Sequence, residues 1–176
     1  MYVEAARIIK KTFPLVRFQL LGYIDKLGAS SIKEKQIREW VEEGIIEYLG
    51  GTNDVKKYLM EINCFVMPSY YREGIPKTLL EASSLEIPVI TTDNTGCRDV
   101  IEHGYNGLLC EPKNPVSLAE SMEQIIRMNY ETLKTMGENG RKKIRANYND
   151  DIVLEFYKSA LRENVLSVKD SYNFIG

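Results

Sequence analysis

Cysteine is scarce in this sequence: three in 176 residues, Cys64, Cys97 and Cys110, widely spaced and without a Cys-x-x-Cys pair. That excludes a disulfide framework and a thiolate zinc site, and it points to a reducing cytosol. Histidine is scarcer still. The single copy, His103, has no cysteine or histidine at ligand spacing, and a surface place at a helix end suits it better than chemistry. Positive charge is not in excess: 23 Lys plus Arg against 25 Asp plus Glu give a formal net charge of −2. A nucleic-acid binder driven by phosphate neutralisation is thereby excluded. No run approaches the roughly 20 apolar residues of a membrane-spanning helix. The opening MYVEAARIIKKTFP is an amphipathic helical pattern without a small-residue cleavage site, so no signal peptide is expected. No Gly-x-Gly-x-x-Gly, repeat or low-complexity tract occurs, which argues against a dinucleotide-binding oxidoreductase.

What is present suffices for one domain with a sizeable core, since 44% of residues are hydrophobic and 27% charged. Five short apolar runs, at 17–22, 45–49, 64–68, 88–92 and 107–110, are bounded by Gly, Pro, Asn or Asp as buried strands are. Helical patterns lie between them at about 31–43, 54–62, 76–86 and 97–102. This alternation predicts an α/β fold, a doubly wound Rossmann-like parallel sheet with helices on both faces. From Pro115 onward only helices are expected, at 116–128, 131–147 and 151–165, the first capped by Asn114-Pro115. Cys64 and Cys110 sit in apolar runs and read as small core residues. Residues 2–12 form a helix with no strand before it. A doubly wound domain opens with a strand, so the expectation is one such domain over 1–165 lacking its first strand, then a tail, 166–176.

The densest chemistry lies between Met67 and Cys110. A strand, the loop Ser69-Tyr70-Tyr71-Arg72-Glu73-Gly74-Ile75-Pro76 and the helix KTLLEASSLE make an anion site at a sheet's carboxyl edge. Pro76 fits the first helical position, where its missing N–H costs least. Glu73 lies in the loop and Glu81 eight positions on, about one and a half turns into the helix. On the helical wheel Glu81 falls opposite Leu79, beside Lys77 and Thr78. Such a carboxylate can accept two hydrogen bonds from a vicinal diol. It can equally be the exposed i,i+4 partner of Lys77, worth a few tenths of a kcal/mol. Glu73 has a bland reading too, as an acid complementing the helix N-terminus.

The run PSYYREGIPKTLLEASSLEIPVITTDNTGCRDVIEHGYNGLL resembles the donor-binding half of the retaining GT-B glycosyltransferases of family 4, also called glycosyl transferases group 1. The matching residues are Pro68-Ser69, Glu73-Gly74, Leu79-Leu80-Glu81-Ala82, Pro88-Val89-Ile90, Gly96, Asp99-Val100-Ile101 and Asn106-Gly107. The segments FPLVRFQLLG and IIEYLGGTNDVKKYL also resemble the family, so the likeness spans roughly residues 3 to 128.

The resemblance implies transfer of a sugar, with retention, from a nucleotide-diphosphate donor. Glu81 would bind the ribose hydroxyls. Glu73 would face the transferred sugar and the reacting centre as the catalytic carboxylate. Backbone N–H groups from Gly74, Ile75, Lys77 and Thr78, with Pro76 among them, would line the sugar and diphosphate. Gly50, Gly51 and Thr52 would border the nucleobase, and Thr95-Gly96 would form a tight turn near the donor. The family uses no Asp-x-Asp metal site and the sequence has none, so neither metal nor cofactor is expected. There are departures: Pro76 stands where many members have glycine, and Ser83-Ser84 replaces a small-plus-methionine pair. Tyr70, Tyr71 and Arg72 are candidates for the sugar pocket or its rim.

The resemblance also implies what a donor half works with: an N-terminal acceptor domain, an acceptor glycan or lipid-linked glycan, and no nucleic acid. The family's diphosphate-clamping Arg and Lys belong to a segment ahead of the first helix. Bacterial members build polysaccharide or lipopolysaccharide, so a cytoplasmic place is expected, with peripheral association at the inner membrane face. Two alternatives remain, a non-catalytic nucleotide-sugar-binding module and a GT-B epimerase-like domain.

Overall fold

A computed structural model of the chain describes residues 1–24, 32–70 and 74–148. Helix α1 (Tyr2–Lys10) buries Val3, Ala5, Ala6 and Ile9 on one stripe. It packs on α6 (Pro115–Arg127), whose Leu118, Ala119, Met122 and Ile125 form the facing stripe. The start of α6 follows the sequence expectation. The Asn114 side chain accepts hydrogen bonds from the N–H groups of Val116 (3.0 Å) and Ser117 (3.1 Å), and Pro115 takes the first helical position. Helix α7 (Tyr130–Asn147) is capped the same way by Asn129. The remaining helices are α2 (Glu34–Glu42), α3 (Val55–Leu59), α4 (Lys77–Ser84) and α5 (Cys97–Val100). The expected helix at 151–165, the tail 166–176 and Ser31 lie outside the described residues.

The five strands appear where the apolar runs fall: β1 (Gln19–Leu21), β2 (Glu47–Gly50), β3 (Phe65–Met67), β4 (Val89–Thr92) and β5 (Gly107–Cys110). Every strand pair is parallel. Along β4 the side chains alternate between two cores, as a period of two requires. Ile90, with Leu108 and Cys110 of β5, joins the core under α1 and α6. Val89 joins Leu79 and Ala82 of α4 and Val100 of α5 on the opposite face. Helices therefore cover both faces, as expected.

The strands nevertheless form two sheets, β1–β2 and β3–β4–β5, rather than one. Between them lies a cavity of about 770 Å³, lined from both sides. Hydrophobic periodicity specifies which residues become strands but not which strand edges meet.

Local differences have local causes. Pro76 is the N-cap of α4 rather than its first residue, with ψ 125°, and its carbonyl accepts from the N–H groups of Leu79 and Leu80. Helix α5 stops at Val100 because Ile101 turns extended and the buried Asn106 amide closes the turn. Asn106 donates to the Val100 carbonyl (3.0 Å) and accepts from the Glu102 N–H (2.6 Å). His103 sits in that turn, not at a helix end, and its Nδ1 accepts from the Leu109 N–H at 3.0 Å. Cys97 and Cys110 are buried and Cys64 half-buried. Burial pushes the Cys64 thiol up to about 12 and the Cys110 thiol up to about 11, the mark of unreactive packing thiols.

Candidate functional site

The carboxyl edge of β3 and β4 gathers most of the residues picked out by the sequence. Two threonines tie the loop after β3 to β4. The Thr91 hydroxyl donates to the Met67 carbonyl at 2.8 Å, and the Thr92 hydroxyl donates to the Ser69 carbonyl. Both side chains are fully buried. A buried hydroxyl without a partner is costly, so these bonds fix the path of the loop toward α4. Nothing in the sequence marks these hydroxyls, because β-branching alone accounts for threonine in a strand run.

At the start of α4 no side chain caps the helix. The amides of Lys77 and Thr78 therefore open onto the loop side, where the positive end of the helix dipole lies. Gly74 and Ile75, just ahead, are exposed. Thr78 Oγ1 donates to Met67 Sδ at 3.5 Å, so its side chain turns back onto the strand end. Glu81 is half-buried and points away from the buried Leu79, Ala82 and Ser83, as the helical wheel requires. Its carboxylate meets the Lys77 ammonium at 3.4 Å, with the two side chains 37% and 87% exposed. An exposed pair in this order holds the acid in place with a few tenths of a kcal/mol, leaving its second oxygen open to another donor. Tyr71, Arg72 and Glu73 lie outside the described residues.

The loop after β4 completes this edge. Gly96 is buried and sits at φ 83°, a conformation that favours glycine, and its N–H donates to Asp99 Oδ2 at 3.2 Å. The Thr95 N–H donates to Asn94 Oδ1 at 2.9 Å. The tight strand-to-helix turn expected at Thr95-Gly96 is thus present. Helices α4 and α5 are in contact, so the two loops are neighbours. A cation that sequence reading missed also reaches this edge. Lys113, after β5 and at φ 60°, places its ammonium 5.1 Å from the centre of the Tyr70 ring. The sequence shows only a polar turn there, which says nothing of a partner 43 residues upstream.

Gly50, Gly51 and Thr52 stand apart, at the carboxyl end of β2 in the two-stranded sheet. Gly50 is at φ 77°. Gly51 lies flat against the Tyr23 ring, where a Cβ would collide. Thr52 Oγ1 accepts from the Asp54 N–H at 2.9 Å and helps open α3. None of the residues assigned to the donor lines the cavity between the sheets. Among the described residues, no three His, Cys, Asp or Glu side chains cluster as a metal site would, and no helix is long and apolar enough to cross a membrane.

Comparison with known proteins fits this geometry. A sequence profile described as "Glycosyl transferases group 1" matches residues 1–143. The capsular polysaccharide biosynthesis glycosyltransferase CapM of Staphylococcus aureus is 29% identical over 167 residues, covering 92% of this chain and 43% of CapM. The N,N'-diacetylbacillosaminyl-diphospho-undecaprenol alpha-1,3-N-acetylgalactosaminyltransferase of Campylobacter jejuni is 33% identical over 88 residues, half of this chain and 23% of that enzyme. Among solved structures, Anabaena HepE in complex with UDP superposes with a TM-score of 0.80 at 20% identity, over 91% of this chain and 44% of HepE. The chain thus spans less than half the length of each of these relatives.

Proposed function

Because the chain belongs to the glycosyl transferases group 1 family, we propose that it is the donor-binding half of a glycosyltransferase that moves a sugar, with retention, from a nucleotide-diphosphate sugar to an acceptor in polysaccharide synthesis. The observation that carries this reading is the uncapped start of α4 at the β3–β4 carboxyl edge, with a half-buried Glu81 just over one turn along the helix. The diphosphate lies against the amides of Gly74, Ile75, Lys77 and Thr78, with the helix dipole stabilising charge as the sugar–phosphate bond breaks. Pro76 offers no N–H there, but its fixed φ sets the helix entry. Glu81 accepts both ribose hydroxyls, and the Lys77 pair orients the carboxylate. Thr95-Gly96 borders the donor from the neighbouring loop, and Gly50, Gly51 and Thr52 border the base from across the cavity. The catalytic carboxylate of this reading is Glu73.

The relatives named above are more than twice as long, so acceptor binding belongs to polypeptide beyond these residues. The acceptor is a glycan or lipid-linked glycan met at the inner membrane face, a reading supported by the diphospho-undecaprenol in the C. jejuni relative's name. Transfer requires no metal held by this chain, a reading supported by the absence of an Asp-x-Asp pair. The 176-residue chain alone binds donor weakly and turns nothing over.

Calorimetric titration with a panel of nucleotide-diphosphate sugars, beginning with UDP-glucose, tests this. At least one should bind, EDTA should leave the heat unchanged, and Glu81→Ala should abolish it. Equal affinity in the Glu81→Ala protein would remove the ribose assignment.

A further inference from the structure

Lys113 stands in the turn between β5 and α6 with φ 60°, a left-handed backbone that a residue bearing a Cβ seldom takes. Glycine or asparagine would make this turn at less cost, so nothing in the backbone favours lysine here. The turn is closed without its side chain. The Asn114 N–H donates to the Glu111 carbonyl at 3.3 Å, and Asn114 Nδ2 donates to Glu111 Oε2 at 2.7 Å. Glu111, the nearest acid in sequence, is thereby engaged. The Lys113 ammonium lies instead over the Tyr70 ring, 5.1 Å from its centre.

That contact crosses the sheet. Strands β3 and β5 flank β4, two strand spacings or about 10 Å apart. At the exit of β4 the Asp93 N–H donates to the Cys110 carbonyl at 2.8 Å, so the ends of β4 and β5 are level. Lys113, three residues past β5, leans over the end of β4 to reach Tyr70, three residues past β3. The ring is 44% exposed, so packing alone does not hold it. It is the third tether along this loop, after the Met67 and Ser69 carbonyls that the β4 threonines hold. It is also the one that stands closest to the amides at the start of α4, four residues ahead of Gly74.

We infer that Lys113 and Tyr70 form a latch, in which the ammonium over the ring fixes the start of the loop after β3 and so positions the amides of Gly74 and Ile75. Lys113 is then a positioning residue, which acts through Tyr70 and touches no donor. Its effect on nucleotide-sugar binding rests on the donor reading above, whereas the latch itself is read in the free protein. An exposed cation–π contact has the strength to change affinity by about two- to fivefold.

The test is nuclear magnetic resonance and calorimetry on the 176-residue chain and four variants: Lys113→Met, Lys113→Arg, Tyr70→Leu and Tyr70→Phe. Met removes the charge and Leu the ring, while Arg and Phe keep them. In the free chain the Lys113 methylene protons should be displaced upfield by the Tyr70 ring current. Tyr70→Phe should keep that displacement and Tyr70→Leu should abolish it. The Gly74 and Ile75 amide signals should move in Lys113→Met and Tyr70→Leu and hold their places in Lys113→Arg and Tyr70→Phe. Affinity for UDP-glucose should fall by about two- to fivefold in the first pair and recover in the second, with the thermal midpoint unchanged throughout. The latch is overturned if the methylene protons show no ring-current displacement, if Gly74 and Ile75 are unmoved in Lys113→Met, or if Lys113→Arg moves them as far. Unchanged affinity in Lys113→Met, where the original chain binds UDP-glucose, would overturn the positioning role. If the original chain gives no heat with UDP-glucose while the amide and methylene signals behave as expected, the donor reading fails and the latch stands.

Discussion

In the two-stranded sheet every residue of β1 and β2 is half-buried, whereas all four residues of β4 in the three-stranded sheet are fully buried. Both sheets are parallel and both come from short apolar runs, so strand chemistry does not make the difference. Neighbours do. Strand β4 has β3 and β5 on its edges, α1 and α6 on one face, and α4 and α5 on the other. Strands β1 and β2 have one another, with Phe18 and Ile46 beside them reaching the core under α1, and polar ties bridge their exposed side. Arg17 forks onto Glu47 with bonds of 2.7 and 2.6 Å, and the Tyr48 hydroxyl donates to the Gly22 carbonyl at 2.8 Å. The buried sheet thus contributes more apolar burial per residue than the half-exposed one.

The sharpest break of this contrast is a large-to-small change on each side. Ile90→Ala should cost about 2–5 kcal/mol in denaturant unfolding, because it opens a hole under α6. Leu20→Ala should cost about 1 kcal/mol, since a half-buried side chain loses less. Equal costs would contradict the division. A smaller effect is expected at Gly137, where α7 runs so close to the Glu86 carbonyl that a Cβ has no room. Gly137→Ala should therefore lose about 1–3 kcal/mol by overpacking, read from the thermal midpoint.

A still smaller and more local effect concerns pH. The Arg17 guanidinium, helped by the Gln19 amide, lowers the Glu47 carboxyl from its ordinary 4.5 to about 2. A depressed carboxyl stabilises the fold above its unfolded value, and that contribution fades between about 4.5 and 2 as acid protonates the unfolded and then the folded form. Both groups are exposed, so the expected signature is a fall in the protection factors of β1–β2 amides across this window, with those of β4 and β5 unchanged. Arg17→Ala should remove that pH dependence. The smallest stability change belongs to Glu81→Gln, within about 0.5 kcal/mol, even though it should eliminate donor binding.

Much of this was legible beforehand because it depends on neighbours in the chain. The β4 run, the Asn114-Pro115 cap, the Gly96 turn and the outward place of Glu81 on α4 all follow from periodicity or from one residue's backbone needs. What stayed hidden depends on contacts between distant segments. Nothing local shows that β1 and β3 do not touch, that the Thr91 and Thr92 hydroxyls hold the loop at Met67 and Ser69, or that Lys113 crosses to Tyr70. The sequence reading also placed Gly50–Thr52 and Glu81 around one donor without showing the cavity that lies between their sheets.

The donor assignment is tested most directly by following backbone amides of the isotope-labelled chain during titration with UDP-glucose. The shifts should be largest at Lys77, Thr78, Thr95 and Gly96 on the three-stranded side, smaller at Gly50–Thr52 across the cavity, and absent throughout in Glu81→Ala. Shifts that leave Lys77 and Thr78 unmoved, or that survive in Glu81→Ala, would contradict a donor held at the start of α4.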